Sequence, residues 1–227
     1  MGKRGPEFYD DPSVFATYVA KRSDPNNAVE TLEKPVFAEL IGDLADLRIL
    51  YLGCGDAQFG QEALQQGCRA YVGVEGSLNM YRLACANLAD TGGKVSHATI
   101  EDWPYPVEHF DLVTSRLTLH YIEEIIGVFT NVYRALVPGG RFIFSVEHPV
   151  ITSCDRAWRG RGLRQDWIVD EYFETGPRVT RWMGGEVVKY HRTVEDYYSA
   201  LRTVNFMVDA VRESRPQQAV FVNDETY

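Results

Sequence analysis

The stretch ILYLGCGDAQFG, from Ile49 to Gly60, decides how this chain is read. An apolar run breaks at Gly53 and Gly55, and polar residues then lead into a segment with helical spacing. Glycine adopts backbone dihedrals that other residues avoid and lets main chain approach a ligand. The helix that follows offers free N–H groups and a positive dipole end. Strand, glycine turn and helix in this order form a nucleotide-type site. Two positions are unusual for such a loop: Tyr51 stands where an acid would be useful, and Ala57 where a third glycine is common. The dinucleotide fingerprint G-x-G-x-x-G needs glycine at position 58, where the chain has Gln58, and this argues against a nicotinamide or flavin ligand. Glu75 ends the next strand-like run, twenty residues beyond Gly55, where a carboxylate can accept both hydroxyls of an adenosine ribose.

Outward from this stretch, apolar runs alternate with helical patterns. RILYL, RAYVGVEG, KVSHATI, FDLVTS and RFIFSVE predict five strands. QFGQEALQQG closed by Gly67, SLNMYRLACANLAD with Ser77 as N-cap, and the long amphipathic IEEIIGVFTNVYRALVPGG predict helices. The alternation implies an α/β fold, a doubly wound, Rossmann-like, mostly parallel sheet with right-handed crossovers. Residues 1–46 predict an N-terminal helical cap, with DDPSVFATYVAKR as one helix and a break or kink at Pro35. Residues 47–149 form the cofactor-binding core. Residues 150–192 predict an inserted substrate lid, with a hairpin in RVTRWMGGEVVKYHR about a Gly-Gly turn. Residues 193–227 predict a helix capped by Thr193 and a strand, FMVDAVRES, that completes the core.

The 227 residues include 23 Lys and Arg against 32 Asp and Glu, a formal charge of −9 with no basic run, which disfavours a nucleic-acid partner. No apolar run is long enough to span a membrane, and MGKRGPEFYDDPS lacks the pattern of a signal peptide. Pro6 stands where a myristoylation signal needs Ser or Thr. Cys54, Cys68, Cys85 and Cys154 form no C-x-x-C pair, so they predict reduced thiols in a cytoplasmic protein and no metal site.

LGCGDA, YVGVEGS, ATIEDWPY, FDLVTSRLTLHYI and RALVPGGRFIFSVEHP follow one another at ordinary spacings. In these segments the chain resembles the class I S-adenosylmethionine-dependent methyltransferases, and within them the bacterial small-molecule branch that includes quinone-type methyltransferases. The resemblance runs from YDDPSVFATYVAKR to FMVDAVRES. It implies S-adenosyl-L-methionine as methyl donor, S-adenosyl-L-homocysteine as product and a small-molecule acceptor. By the same resemblance the main chain of Gly53, Cys54 and Gly55, with Asp56 beside it, receives the methionine part. Glu75 holds the ribose, flanked by Gly76, Ser77 and Leu78. Ile100, Glu101 and Asp102 edge the adenine, and Ser115 and Arg116 line the methionine side. Tyr18 and Arg22 close over the cofactor carboxylate, a solvated helix arginine being the alternative for Arg22. Family members usually carry an acid at position 51 and often Asp at position 99, where this chain has Tyr51 and Thr99. A phenol keeps hydrogen bonding but forfeits charge attraction. Tyr51 and Ala57 therefore predict weakened cofactor binding, with the Ala57 methyl harmless if φ is negative there. The family's last antiparallel strand has no convincing counterpart; AVFV is short, which predicts a chain that stops early.

Methyl transfer is an in-line displacement at a sulfonium carbon, so alignment and exclusion of water carry much of the rate. A base is needed only where the acceptor must lose a proton. His120, His191 and His148 are the candidates, and for each a packing or capping role fits as well. His97 and His109, at strand edges, predict structural roles. Trp158, Trp167, Tyr172, Phe173, Trp182 and Tyr190 form either a satellite core or a wall for a flat aromatic or apolar acceptor. Arg156, Arg159, Arg161 and Arg164 either pair with an anionic substrate or solubilise the loop. Two other functions stay open: a non-catalytic protein that binds S-adenosylmethionine or S-adenosylhomocysteine, and, less favoured, a nicotinamide-dependent oxidoreductase.

Overall fold

The computed structural model describes residues 2–22, 24, 27–154 and 168–215. The expectations for Trp158, Trp167, the four lid arginines and AVFV lie outside the described residues.

Five strands form one sheet in the order β3-β2-β1-β4-β5: β1 (Arg48–Leu52), β2 (Ala70–Glu75), β3 (Lys94–His97), β4 (Phe110–Arg116) and β5 (Leu136–Ser145). Every pairing is parallel. Parallel neighbours need crossovers, and α4 (Gln58–Gln65), α5 (Leu78–Asn87) and α6 (Ile125–Ala135) supply them. Because helices cover both faces, the strands are apolar on both: Leu50, Leu52 and Val113 join one core with α6, and Ile49, Tyr51 and Leu112 join the other with α3 (Lys34–Ile41). At the far end of the sheet Arg48 locks β1 to β4, donating from Nε and Nη2 to Asp111 at 2.8 and 2.9 Å.

The ends of these elements follow local chemistry. Gly67, at φ 85°, terminates α4, and the Ser77 hydroxyl accepts the Met80 N–H to cap α5. Thr193 and Asp196 form a capping box at the start of α8 (Val194–Thr203). Pro35 sits in the first turn of α3, where its missing N–H costs nothing, and a π-helical turn (Val29–Glu33) precedes it.

Two regions meet over the carboxyl ends of the strands. One is the N-terminal cap, α1 (Gly5–Tyr9) and α2 (Pro12–Arg22); the other is the hairpin of β6 (Gly176–Trp182) and β7 (Gly185–His191). Lys3 bridges to β7, and Phe8, Val14 and Val187 share a small buried core. The hairpin turn is Met183-Gly184, both at positive φ, not Gly184-Gly185; Gly185 is needed because a side chain there would lie 2.9 Å from the Phe8 ring.

Two expectations fail. The helix before β5 stops at Ala135, because Leu136 turns extended and pairs with Phe110 of β4, and an irregular stretch then leads to the pairing from Arg141 onward. FMVDAVRES forms no strand. Among the described residues β5 is the sheet edge, and without a ladder partner residues 206–214 stay irregular, with Met207 and Val211 in solvent. Phe206 still packs on Phe142 at 5.7 Å, and Arg212 pairs with Glu39 of α3. A groove of about 1830 Å³ follows this open edge. No helix among the described residues is long and apolar enough to cross a membrane.

Candidate active site

The glycine turn is the hinge of the site. Gly53 and Gly55 both hold positive φ, 68° and 58°. A side chain at Gly53 would also overlap Thr118. The Gly53 and Cys54 N–H groups donate to the Val74 carbonyl at 2.8 and 3.0 Å, which ties the turn to the end of β2. Ala57 adopts φ 58° as well, so the condition for a harmless methyl is not met; it is fully buried in a left-handed conformation that disfavours a side chain. Gly60 ends the opening stretch because a Cβ there would lie 2.5 Å from the Tyr71 ring.

Glu75 joins the turn to α5. Its Oε2 accepts the Gly55 N–H and its Oε1 the Ser77 N–H, each at 2.8 Å. Burial pushes the carboxyl up to about 7 against these hydrogen bonds. Each oxygen keeps lone-pair capacity for a further donor. Asp10, from the cap, accepts the Ser77 hydroxyl at 2.7 Å and the Asn79 N–H at 3.0 Å, while Pro6 sits close over Gly76. Tyr18 reaches over Gly55, and Tyr18, Arg22, Asp56 and Asn87 border a cavity of about 180 Å³ beside the turn. Arg22 also pairs with Glu30 at 3.3 Å. Ile100 is buried, whereas Glu101 and Asp102 are exposed; the Thr99 hydroxyl donates to Asp102 Oδ2 at 2.7 Å and accepts the Asp102 N–H at 3.2 Å.

Ser115 and Arg116 spend their side chains on protein contacts. The Ser115 hydroxyl donates to the Leu52 carbonyl at 2.9 Å. Arg116 makes a bidentate, largely buried pair with Glu33 of the π-helical turn, and the Ser145 hydroxyl donates to the same carboxylate at 2.7 Å. Tyr51 lies in the core against Phe59, centroids 5.4 Å apart, and burial raises its phenol; Arg116 and Glu33 are the charged pair whose field reaches it. Glu33 had no sequence signal, being one acid in a helical run.

The three candidate histidines separate clearly. His191 is fully buried with both ring nitrogens engaged, Nδ1 to the Thr152 hydroxyl at 2.8 Å and Nε2 to the Tyr172 carbonyl at 2.9 Å. It pins the hairpin to its surroundings and has no nitrogen left for a substrate proton. His148 accepts the Val150 N–H at the start of a short helix, α7 (Pro149–Thr152), and contacts Glu213 at 2.9 Å. It is a cap. His120, after β4, is 2% exposed; its Nδ1 accepts the Glu147 N–H at 3.4 Å, and its Nε2 has no partner among the described residues. Burial pushes its ring down to about 4.

Beside His120 is a cluster that motif reading missed. Lys189 of β7, 2% exposed, contacts both Glu147 oxygens at 2.6 and 2.7 Å. Burial works to raise the Glu147 carboxyl, and the positive charge around it brings it below its ordinary value. The Tyr9 and Tyr121 hydroxyls share a hydrogen bond of 3.2 Å, and burial pushes Tyr9 up to about 12. Of the aromatic residues read as a satellite core or an acceptor wall, among the described ones Phe173 is 85% exposed and Tyr190 turns to Glu123, while Trp182 stays near Lys21 and Lys189 at 4.9 and 5.3 Å.

The comparisons with known proteins agree with this geometry. The family model for a methyltransferase domain matches residues 50–144. A solved S-adenosylmethionine-dependent methyltransferase from Mesorhizobium loti is 37% identical, with a TM-score of 0.77 over 82% of this chain and 86% of that one. An uncharacterized protein of Haemophilus influenzae is 31% identical over 216 residues, 90% of this chain and 85% of its own. A ubiquinone/menaquinone biosynthesis C-methyltransferase of Psychromonas ingrahamii is 33% identical over 142 residues, 57% of this chain and 56% of its own. The chain belongs to the S-adenosylmethionine-dependent methyltransferases. It is an enzyme of that class, and S-adenosyl-L-methionine is its cofactor. The residues at the turn fit that ligand: a buried carboxylate with spare lone pairs at Glu75, a glycine at positive φ bordered by Tyr18 and Met80 at Gly55, and an apolar edge at Ile100.

Proposed function

We propose that the protein transfers the methyl group of S-adenosylmethionine to a small-molecule acceptor by in-line displacement, in the cytoplasm. The buried Glu75 carboxylate carries this reading, because it bridges the glycine turn and the start of α5 with lone pairs to spare for ribose hydroxyls. Gly53, Cys54, Gly55 and Asp56 cradle the methionine part, with Tyr18 and Arg22 at its carboxylate. Glu75, Gly76 and Ser77 take the ribose, and Ile100, Glu101 and Asp102 the adenine. At the Ser115–Arg116 corner the main chain makes the contact, since both side chains are committed. The bound cofactor supplies an electrophilic methyl group. The protein aligns it and excludes water, the cap and hairpin forming the cover. A small acceptor is supported by the cap and hairpin that meet over the strand ends and by the net charge of −9, which repels nucleic acid.

The test uses methyl-labelled S-adenosylmethionine with whole cell extract, separated after the reaction into small-molecule, protein and nucleic-acid fractions. Label moving into the small-molecule fraction is the expected result. Label moving only into protein or nucleic acid would contradict it.

A further inference from the structure

We propose that the cluster of His120, Glu147 and Lys189, beside Tyr9 and Tyr121, receives a carboxylate-bearing acceptor and that a carboxylate oxygen takes the methyl group. This inference rests on the methyl-transfer reading above and names the acceptor chemistry.

Buried polar groups that lack partners call for one. One donor here has no partner among the described residues, and a second has an N–H beyond those it gives to Glu147. With Nδ1 accepting the Glu147 N–H, the His120 ring proton resides on Nε2, and that N–H has no partner among the described residues. The Lys189 ammonium has three N–H groups and directs contacts at the two Glu147 oxygens. The unpartnered His120 N–H and the spare N–H of Lys189 ask for a ligand with lone pairs, and a carboxylate brings two oxygens. A protonated amine would bring only further donors, which the unpartnered His120 N–H cannot use.

The cluster also lacks a base. His120 cannot take a proton at Nε2, which already carries one, and burial holds the ring neutral down to about 4. Burial works to raise the Glu147 carboxyl, but His120 and the ion pair with Lys189 keep it below its ordinary range, so it is a weak base. The Tyr9 and Tyr121 phenols are both raised by burial and stay protonated at neutral pH. An alcohol or phenol acceptor would need such a base; a carboxylate needs none. The step balances without one. A carboxylate lone pair forms the new O–C bond, the C–S bond breaks with its electron pair left on sulfur, and a methyl ester and a neutral thioether result with no proton moved. Tyr9 lies between the two halves of the site, its ring packed on Tyr18, which reaches over Gly55, and on Tyr121, with centroids 5.2 and 6.2 Å apart.

The test uses the full chain with tritiated-methyl S-adenosylmethionine and a panel of benzoate, succinate, citrate and octanoate, with benzyl alcohol, phenol and benzylamine as matched alternatives. A methyl ester releases its label as volatile methanol in alkali, whereas methyl ethers, amines and carbon-bound methyl groups do not. We expect label on at least one carboxylate, released by alkali. For that carboxylate His120→Phe should raise KM about ten- to a hundredfold, as expected for losing a hydrogen bond to a charged group. His120→Asn, which keeps an N–H donor, should recover part of it and serves if the Phe variant does not fold. Three results would each overturn the inference while S-adenosylhomocysteine binding, read by calorimetry, persists: alkali-stable label on the alcohol, phenol or amine, no label on any carboxylate, or an unchanged KM in the variants. Loss of that binding in the unaltered protein would instead remove the methyl-transfer reading itself.

Discussion

Ala57 shows what one backbone angle does to a ligand turn. It holds φ 58° with its side chain buried, where an L-residue carries a penalty of roughly 1–2 kcal/mol. Ala57→Gly should therefore stabilise the protein by about 1 kcal/mol and raise Tm by about 2–4 °C. A thermal melt that shows a fall instead would mean the methyl packs more usefully than the angle costs. Glu75 makes a pH-dependent prediction. Its carboxyl is raised from an ordinary 4.5 to about 7 by burial, so the stability it contributes to the ligand-free protein is full below about pH 4.5 and is lost as pH rises through 7. Ribose hydroxyls donate best to the ionised form, so S-adenosylhomocysteine affinity should rise from pH 6 to 8. Glu75→Gln should flatten that rise; an equally steep profile in the variant would assign it elsewhere. Glu75 was legible in the sequence because a strand-terminal acid at that distance from a glycine turn has a physical use. The angle at Ala57 was not, since residue type alone does not set φ when neighbours over-determine it.

At the scale of elements, the cap and α5 are coupled through one side chain. Asp10 satisfies the Asn79 N–H at the start of α5 and the Ser77 hydroxyl, itself the helix cap. Asp10→Ala should cost about 0.5–2 kcal/mol in urea denaturation, the range for a lost helix cap. An unchanged midpoint would show that solvent replaces it without loss. Periodicity and capping residues made all five strands and the helices between them readable, because each uses local chemistry: Gly67 to stop α4, Ser77 and Thr193 to start α5 and α8. Residues 206–214 read as a strand for the same local reason and are not one. Strand pattern is a condition for pairing, and pairing is decided by what lies alongside; β5 offers no bridge to that segment among the described residues.

Across the whole molecule, the rim of the sheet is assembled from segments far apart in sequence. The Lys189–Glu147 pair fastens the hairpin to the end of β5, and both residues are largely buried. Lys189→Met alone should destabilise the protein by about 3–5 kcal/mol, because it leaves an unpaired buried carboxylate. Adding Glu147→Leu should recover much of that loss; a double variant no better than the single one would show that the pair acts by packing and not by charge. No motif pointed to this cluster, because its parts are unremarkable where they occur and only the fold brings them together. The glycine turn was readable for the opposite reason, its parts being contiguous. The most direct test of the account is calorimetric titration of the full chain with S-adenosylhomocysteine. Binding of one molecule per chain, abolished or weakened at least tenfold by Glu75→Ala, is the predicted result. Absence of binding, or binding of a nicotinamide dinucleotide in its place, would contradict the account.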